Sequence, residues 1–289
     1  MKLGMVGLGK MGAGMAERLR RGSHEVIGYD RNPDVTEVGS LKELLESLEP
    51  PRAVWVMVPS GDPTEATLKE LAGLASPGDI LIDGGNSMYK DSIRRAEELA
   101  NHGIKFLDVG TSGGVWGLEI GFCLMIGGPR DAFEAVESVL ATLAPPEGYA
   151  LVGPAGAGHY AKMVHNGIEY GMLQAYAEGF DLLQASDFDL DLGQLAALWN
   201  HGSVVRSWLL ELAERALDKD PKLESLAGYV DDSGEGRWTV LEAVERGVAA
   251  DTLAHALFRR FTSREEDSFS MRMIAALRNE FGGHAVKQQ

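Results

Sequence analysis

Lys162, His165, Asn166, Glu169 and Tyr170, in the stretch KMVHNGIEY, stand at i, i+3, i+4, i+7 and i+8. On a helix of 3.6 residues per turn that spacing is one continuous face. A face mixing an amine, an imidazole, an amide, a carboxyl and a phenol is suited to moving protons and holding hydroxyls. A polar stripe at helical spacing is most often a solvated surface. Here the opposite face carries Met163, Val164, Gly167 and Ile168, and the flanks GAGHYA and GMLQAYAEGF are poor in charge. The stripe is therefore read as the lining of a wet pocket.

A second constellation lies at the start of the chain. GLGKMG places Gly7, Gly9 and Gly12 in G-x-G-x-x-G spacing after a strand pattern and at the opening of a helix pattern. Glycine there allows a tight turn, close approach of the backbone to a pyrophosphate, and close packing of helix on strand. Asp30 ends the next strand pattern, roughly 20 residues on, where a carboxylate accepts hydrogen bonds from a ribose. Together they predict a nicotinamide dinucleotide site. Asp30 would repel a 2′-phosphate and favours NAD, whereas the neighbouring Arg31 would hold that phosphate and leaves NADP open.

Two further glycine turns end strand patterns. DGGNS puts Gly84 and Gly85 before Asn86, at the carboxyl edge of the sheet where open α/β folds bind ligands. In GTSGGVWG, Ser112 and the backbone N–H groups of Gly113 and Gly114 would form a small anion nest suited to a carboxylate. Ordinary β-to-α turns would account for the glycines but less well for the Asn and the Ser.

The elements that must position these groups alternate over the first half. Strands are expected at Lys2–Val6, Glu25–Tyr29, Ala53–Val58, Asp79–Asp83, Lys105–Val109 and Phe122–Ile126, with helices at Met11–Arg21, Thr64–Leu74, Ser87–His102 and Asp131–Leu143. This is an α/β pattern, a Rossmann-type doubly wound parallel sheet. After VGPAGAG the strand signals stop and helical periodicity runs on, broken near Asp187, Pro221 and Gly234. The expected domains are 1–153, binding the dinucleotide, and 154–289, all helical, for substrate and subunit contacts.

Composition narrows the function classes. The chain has 289 residues, 45% hydrophobic and 24% charged, so it can bury a sizeable interior in two domains. A net charge of -16 argues against nucleic acid, which needs clustered Lys and Arg, and an anionic small molecule would need a local cationic pocket. No run is long enough to span a bilayer, and MKLGMVGLG is too short and glycine-rich for a signal peptide, so a cytoplasmic protein without a membrane partner is expected. Cys123, the single cysteine, sits in an apolar run and is read as a buried packing residue. His159 is read as a helix-start residue and His201 as a helix terminus. DFDLDL, residues 187–192, lacks the glycine and closing glutamate of a calcium loop and is read as a solvated turn, and no metal is expected.

In order along the chain, GLGKMG, IDGGNS, SGGVWG, GHYAKMVHNGIEY and RNEFGGH resemble the signature of decarboxylating 6-phosphogluconate dehydrogenases of the short bacterial type, within the β-hydroxyacid dehydrogenases. The more distant 3-hydroxyisobutyrate-type enzymes share the glycine fingerprint and the Lys but lack the Glu-Tyr pair. The resemblance implies oxidation and decarboxylation of 6-phosphogluconate to ribulose 5-phosphate, a step of the pentose phosphate pathway. Lys162 would be the base at the C3 hydroxyl and later, protonated, would polarise the new carbonyl. Glu169 would be the acid that protonates C1 of the product. An amine serves as base at neutral pH only where desolvation or a neighbouring cation favours its neutral form.

The resemblance also implies cofactor contacts from Gly7, Leu8, Gly9, Lys10, Met11, Gly12, Asp30, Arg31, Asn32, Val58 and Asn86. Substrate would meet Asn86, Ser112, Gly113, Gly114, His165 and Asn166, with Tyr170, Arg260, Arg278 and His284 at the phosphate. Arg278 and His284 would come from the partner subunit of a homodimer or homotetramer. Three departures are visible. Longer family members carry a Lys where this chain has Ser233 before GEGRW, with Arg237 as the available substitute. Asp30, Arg31 and Asn32 replace an Asn-Arg-Thr segment that holds a 2′-phosphate, which leans to NAD. The long second helical repeat of the large enzymes is missing. Two rival readings remain: a β-hydroxyacid dehydrogenase without decarboxylation, and a non-enzymatic dinucleotide-binding regulator.

Overall fold

Apolar runs on the first strands are continuous rather than alternating, as expected of strands covered on both faces. The computed structural model describes residues 1–265 and 268–273. It divides into two compact units, Met1–His165 and Asn166–Gln289, the division falling inside a long helix.

The first unit runs β1 (Lys2–Val6), α1 (Lys10–Arg21), β2 (Glu25–Tyr29), α2 (Leu41–Glu46), β3 (Ala53–Val56), α3 (Asp62–Leu74), β4 (Ile80–Asp83), α4 (Tyr89–Ala100) and β5 (Lys105–Ser112). A 3-10 turn at Gly114–Trp116 leads into α5 (Gly117–Ile120), β6 (Cys123–Gly127), α6 (Arg130–Leu143), β7 (Tyr149–Gly153) and the start of α7 (Ala157–Gln184). The strands form one sheet in the order β2-β1-β3-β4-β5-β6-β7. Alternate residues serve opposite faces. Leu3, Met5, Trp55, Ile80 and Ile82 join the core under α1 and α6, while Val6, Val54, Val56 and Leu81 join the core under α2, α3 and α4.

The sheet differs from the expected all-parallel one in two respects. β6 pairs antiparallel with β5, from Asp108 opposite Gly127 to Ser112 opposite Cys123. The connection between them, residues 113–122, is shorter than the dozen or so residues that a parallel crossover needs. β7, parallel to β6, is an added edge strand whose residues are at most half buried. Cys123 also departs from expectation, because it is exposed. Leu124 and Ile126 point into the core, so alternation turns Cys123 to the other face at the strand's first residue.

The second unit contains the rest of α7, then α8 (Leu192–Trp199), α9 (Trp208–Lys219), α10 (Glu235–Arg246) and α11 (Asp251–Thr262). Asp191 caps α8 by accepting the Gln194 N–H at 2.9 Å, and Ser207 caps α9 through the Leu210 N–H. DFDLDL is thus a turn that ends in a helix cap. Among the described residues two small cores hold the unit: Tyr170, Ala256 and Leu257, and Ala196, Leu210 and Leu217. Among the described residues no helix is long and apolar enough to cross a membrane.

Candidate active site

At the β1-to-α1 turn each glycine has its own steric reason. Gly7 has φ +92°, and a Cβ there would lie 2.5 Å from the Met57 carbonyl oxygen and 3.1 Å from Val58 Cγ1. A Cβ on Gly12 would overlap the Gly7 carbonyl oxygen, so α1 sits as close to β1 as its backbone permits. A Cβ on Gly9, the N-cap of α1, would meet nothing within 4 Å, and no side chain among the described residues caps that helix. The first and third glycines serve packing, and the second leaves backbone N–H groups open to an anion at the positive end of the helix. Asp30 completes the turn. Its Oδ2 accepts the Leu8 N–H at 2.7 Å and its Oδ1 the Asn32 N–H at 2.8 Å, which holds the carboxylate at the tip of β2 beside the glycine turn. Arg31, Asn32 and Lys10 are exposed, Met11 half buried. β1 and β3 are the neighbours at which strand order reverses, the position where such sheets take a dinucleotide. The residues present therefore fit a nicotinamide dinucleotide.

The DGGNS turn is anchored by a residue absent from the sequence expectations. Asp83, fully buried, accepts the Ser87 hydroxyl at 2.8 Å, the Gly85 N–H at 3.1 Å and Arg95 Nη1 at 3.1 Å. Arg95 also donates to Glu65 at 3.0 Å, and hydrogen bonds from Arg94 and then Arg95 hold the Glu65 carboxyl down to about 2. This network fixes the loop that carries the half-buried Asn86. Gly113 and Gly114 both have positive φ, +138° and +55°, so the turn after Ser112 needs glycine at each.

Lys162 is placed by β5. Asp108, fully buried on that strand, accepts the Gly156 N–H at 2.6 Å and the His159 N–H at 2.8 Å, so a side chain from the sheet caps α7. His159, also buried, hydrogen-bonds Ser92 Oγ through Nδ1 at 2.7 Å. Gly110 belongs to β5 rather than to the turn after it, and a Cβ on it would collide with Lys162 Cβ. The first turns of α7 thus press against bare backbone, and the half-buried Lys162 follows one turn after the cap.

Within the second unit the same helix face continues with Asn166, Glu169 and Tyr170, while His165, in the first unit, is exposed. Asn166 Nδ2 donates to Glu235 Oε1 at 2.8 Å, and Ser233 Oγ donates to Glu235 Oε2 at 2.6 Å. A Cβ on Gly236 would collide with the Tyr170 ring, whose other neighbour is the Arg260 guanidinium, 3.3 Å from the ring centroid. The buried Tyr170 hydroxyl has no hydrogen-bond partner among the described residues. Arg260 also donates to the Asp231 carbonyl at 3.2 Å.

Arg237, the substitute for the family Lys, is committed elsewhere. It forks onto Asp232 at 2.7 and 3.0 Å, Arg264 joins the same carboxylate at 2.6 Å, and hydrogen bonds from Arg237 and then Arg264 hold Asp232 well below the ordinary carboxylate range. Two arginines thus share one carboxylate. Among the described residues no three His, Cys, Asp or Glu side chains gather as a metal site would require. Arg278 and His284 lie outside the described residues.

Asp83, Asp108, Gly110 and Glu235 are the residues that sequence reasoning missed. A glycine inside a strand pattern marks close backbone approach and was the available signal for Gly110. The carboxylates act on partners far along the chain and leave no local pattern.

Residues 2–153 match the NAD binding domain of 6-phosphogluconate dehydrogenase, and residues 158–289 match the C-terminal domain of that enzyme. A Bacillus subtilis protein provisionally named a 6-phosphogluconate dehydrogenase is 46% identical over the full length of both chains. The NAD(+)-dependent, decarboxylating 6-phosphogluconate dehydrogenase of Haloferax volcanii is 41% identical over 100% of this chain and 99% of its own. Among solved structures, Plasmodium falciparum 6-phosphogluconate dehydrogenase superposes with a TM-score of 0.85 at 26% identity, over 100% of this chain and 66% of that one. A 3-hydroxyisobutyrate dehydrogenase from Mycobacterium tuberculosis, at 23% identity and a TM-score of 0.72, shares the fold. Through both of its parts the chain belongs to the 6-phosphogluconate dehydrogenase family.

Proposed function

We propose that the protein oxidises and decarboxylates 6-phosphogluconate to ribulose 5-phosphate and carbon dioxide with NAD. In this reading residues 1–153 hold the dinucleotide, and 154–289 supply substrate and subunit contacts. The observation that carries it is the α7 face, on which Lys162 is set by Asp108 and Gly110 and is followed by Asn166, Glu169 and a Tyr170 covered by Arg260. A small unphosphorylated acid would need neither the proton donor nor the cation.

The glycine turn and Asp30 would hold NAD, with Leu8, Val58 and Asn86 beside it. When bound, NAD accepts the hydride from substrate C3. Lys162 takes the proton of the C3 hydroxyl and, now cationic, holds the charge on the carbonyl oxygen as the C1–C2 bond breaks and carbon dioxide leaves. The electron pair rests in an enediol, and Glu169 protonates the carbon that becomes C1 of ribulose 5-phosphate. Asn86, Ser112, Gly113 and Gly114 take the carboxylate end, His165 and Asn166 the hydroxyls. Arg260 and the Tyr170 hydroxyl take the phosphate, joined in a homodimer or homotetramer by the partner's Arg278 and His284. Exposed apolar residues such as Leu182, Val204, Leu241 and Val244 in the second unit support subunit contact.

The test is Lys162→Ala. Turnover is expected to fall about a thousandfold or more, as for loss of a general base, with Kd for NAD unchanged. Retained turnover would remove Lys162 from the reaction.

A further inference from the structure

Glu235 is a buried carboxylate, 4% exposed, at the first position of α10. Among the described residues its side chain meets two neutral donors, Asn166 Nδ2 and Ser233 Oγ. A buried carboxylate satisfied by neutral donors alone is uncommon, because desolvation favours pairing with a cation. Cations are close in sequence, yet Arg237 is committed to Asp232 and Arg260 to the Tyr170 face. At the first turn of α10 the helix dipole favours a carboxylate, and the charge has a further reason.

The reason lies in the partner. An amide side chain has a donor end and an acceptor end, and either can point either way. Both Glu235 carboxyl oxygens act as acceptors, Oε1 for Asn166 Nδ2 and Oε2 for Ser233 Oγ, so Glu235 meets the NH₂ end of Asn166. We infer that Glu235 is a positioning residue that fixes the polarity of the Asn166 amide, so that Oδ1 turns away from α10 and reads a substrate hydroxyl as a donor. Asn166 lies between Lys162 and Glu169 on the α7 face, where a polyhydroxy acid needs its hydroxyls set in register. Ser233 is part of the same device, since its hydroxyl is given to Glu235. At this position the chain places an orienting group where longer relatives place a phosphate-binding cation. The inference rests on the function proposed above only for the identity of the hydroxyl.

Glu235→Gln keeps size and helix position but allows the amide pair to form in either polarity. It is expected to raise KM for 6-phosphogluconate about tenfold, the worth of one charge-assisted hydrogen bond, with kcat within about threefold and Kd for NAD unchanged. In a cycle with Asn166→Ala, the double variant should show the KM of Asn166→Ala alone, because Glu235 acts through Asn166. Additive KM effects, an unchanged KM, or a uniform loss of melting temperature and kcat would each overturn the inference. A readout independent of substrate is the side-chain NH₂ signal of Asn166 by NMR, assigned by its loss in Asn166→Ala. One proton should be shifted downfield and slow to exchange in the unmodified protein and ordinary in Glu235→Gln. An identical signal in both overturns the inference. If the unmodified protein does not turn over 6-phosphogluconate while the NMR signal responds as expected, the proposed substrate fails and the positioning role stands.

Discussion

A methyl group added at Gly110 would land against Lys162 Cβ and 2.7 Å from the Gly158 carbonyl oxygen. Neither neighbour is a flexible side-chain end, so the first turns of α7 must shift. A displacement of even about 1 Å at a catalytic group costs roughly a hundredfold in rate. Gly110→Ala should therefore lower kcat at least about a hundredfold while NAD affinity stays within twofold, measured by initial rates and cofactor titration. An active Gly110→Ala enzyme would show that Lys162 is not held where the structure has it. Lys162, Asn166, Glu169 and Tyr170 could be read from sequence because polar types at helical spacing break the apolar rhythm around them. Asp108 and Glu235 could not, because the groups they hold lie 48 and 69 residues away in the chain.

At the scale of elements, α7 depends on a cap borrowed from the sheet. Asp108→Asn keeps one acceptor oxygen and turns an NH₂ toward the second helix N–H, leaving a buried donor unmet. The expected loss is about 1–3 kcal/mol of stability, with a fall in kcat because Lys162 lies one turn on. Denaturant unfolding checks the first part, and unchanged stability would mean that the cap is not formed by Asp108. The main strands and helices were legible because both sheet faces are buried, which makes each strand an unbroken apolar run. Several features were not read. α2 has the signature Ser40-x-x-Glu43, with Ser40 Oγ accepting the Glu43 N–H and Glu43 accepting the Gly39 N–H, but its six residues are too few for a periodicity to register. β7 is an edge strand with weak burial, and the direction of β6 is set by the length of the preceding loop rather than by any pattern within the strand.

At the scale of the whole molecule, a chain of net charge -16 must bind an anionic substrate. Arg237, Arg260 and Arg264 gather in the second unit around Asp231 and Asp232 and are the local cations on offer there. If Arg278 completes the site from a partner subunit, mixing Arg278→Ala with Lys162→Ala should restore activity toward about a quarter of the unmodified level, since one site in a randomly mixed dimer is whole. No recovery in verified mixed dimers would make the sites self-contained. The central claim is the coupling of oxidation to decarboxylation, which separates this family's chemistry from that of the 3-hydroxyisobutyrate dehydrogenases that share its fold. The direct measurement is the initial rate of the purified protein with 6-phosphogluconate, offering NAD and NADP separately and following reduced cofactor and released carbon dioxide together. Equal amounts of both products are expected, with NAD preferred through Asp30. Reduced cofactor without carbon dioxide, or no reduction with either cofactor, would contradict that claim.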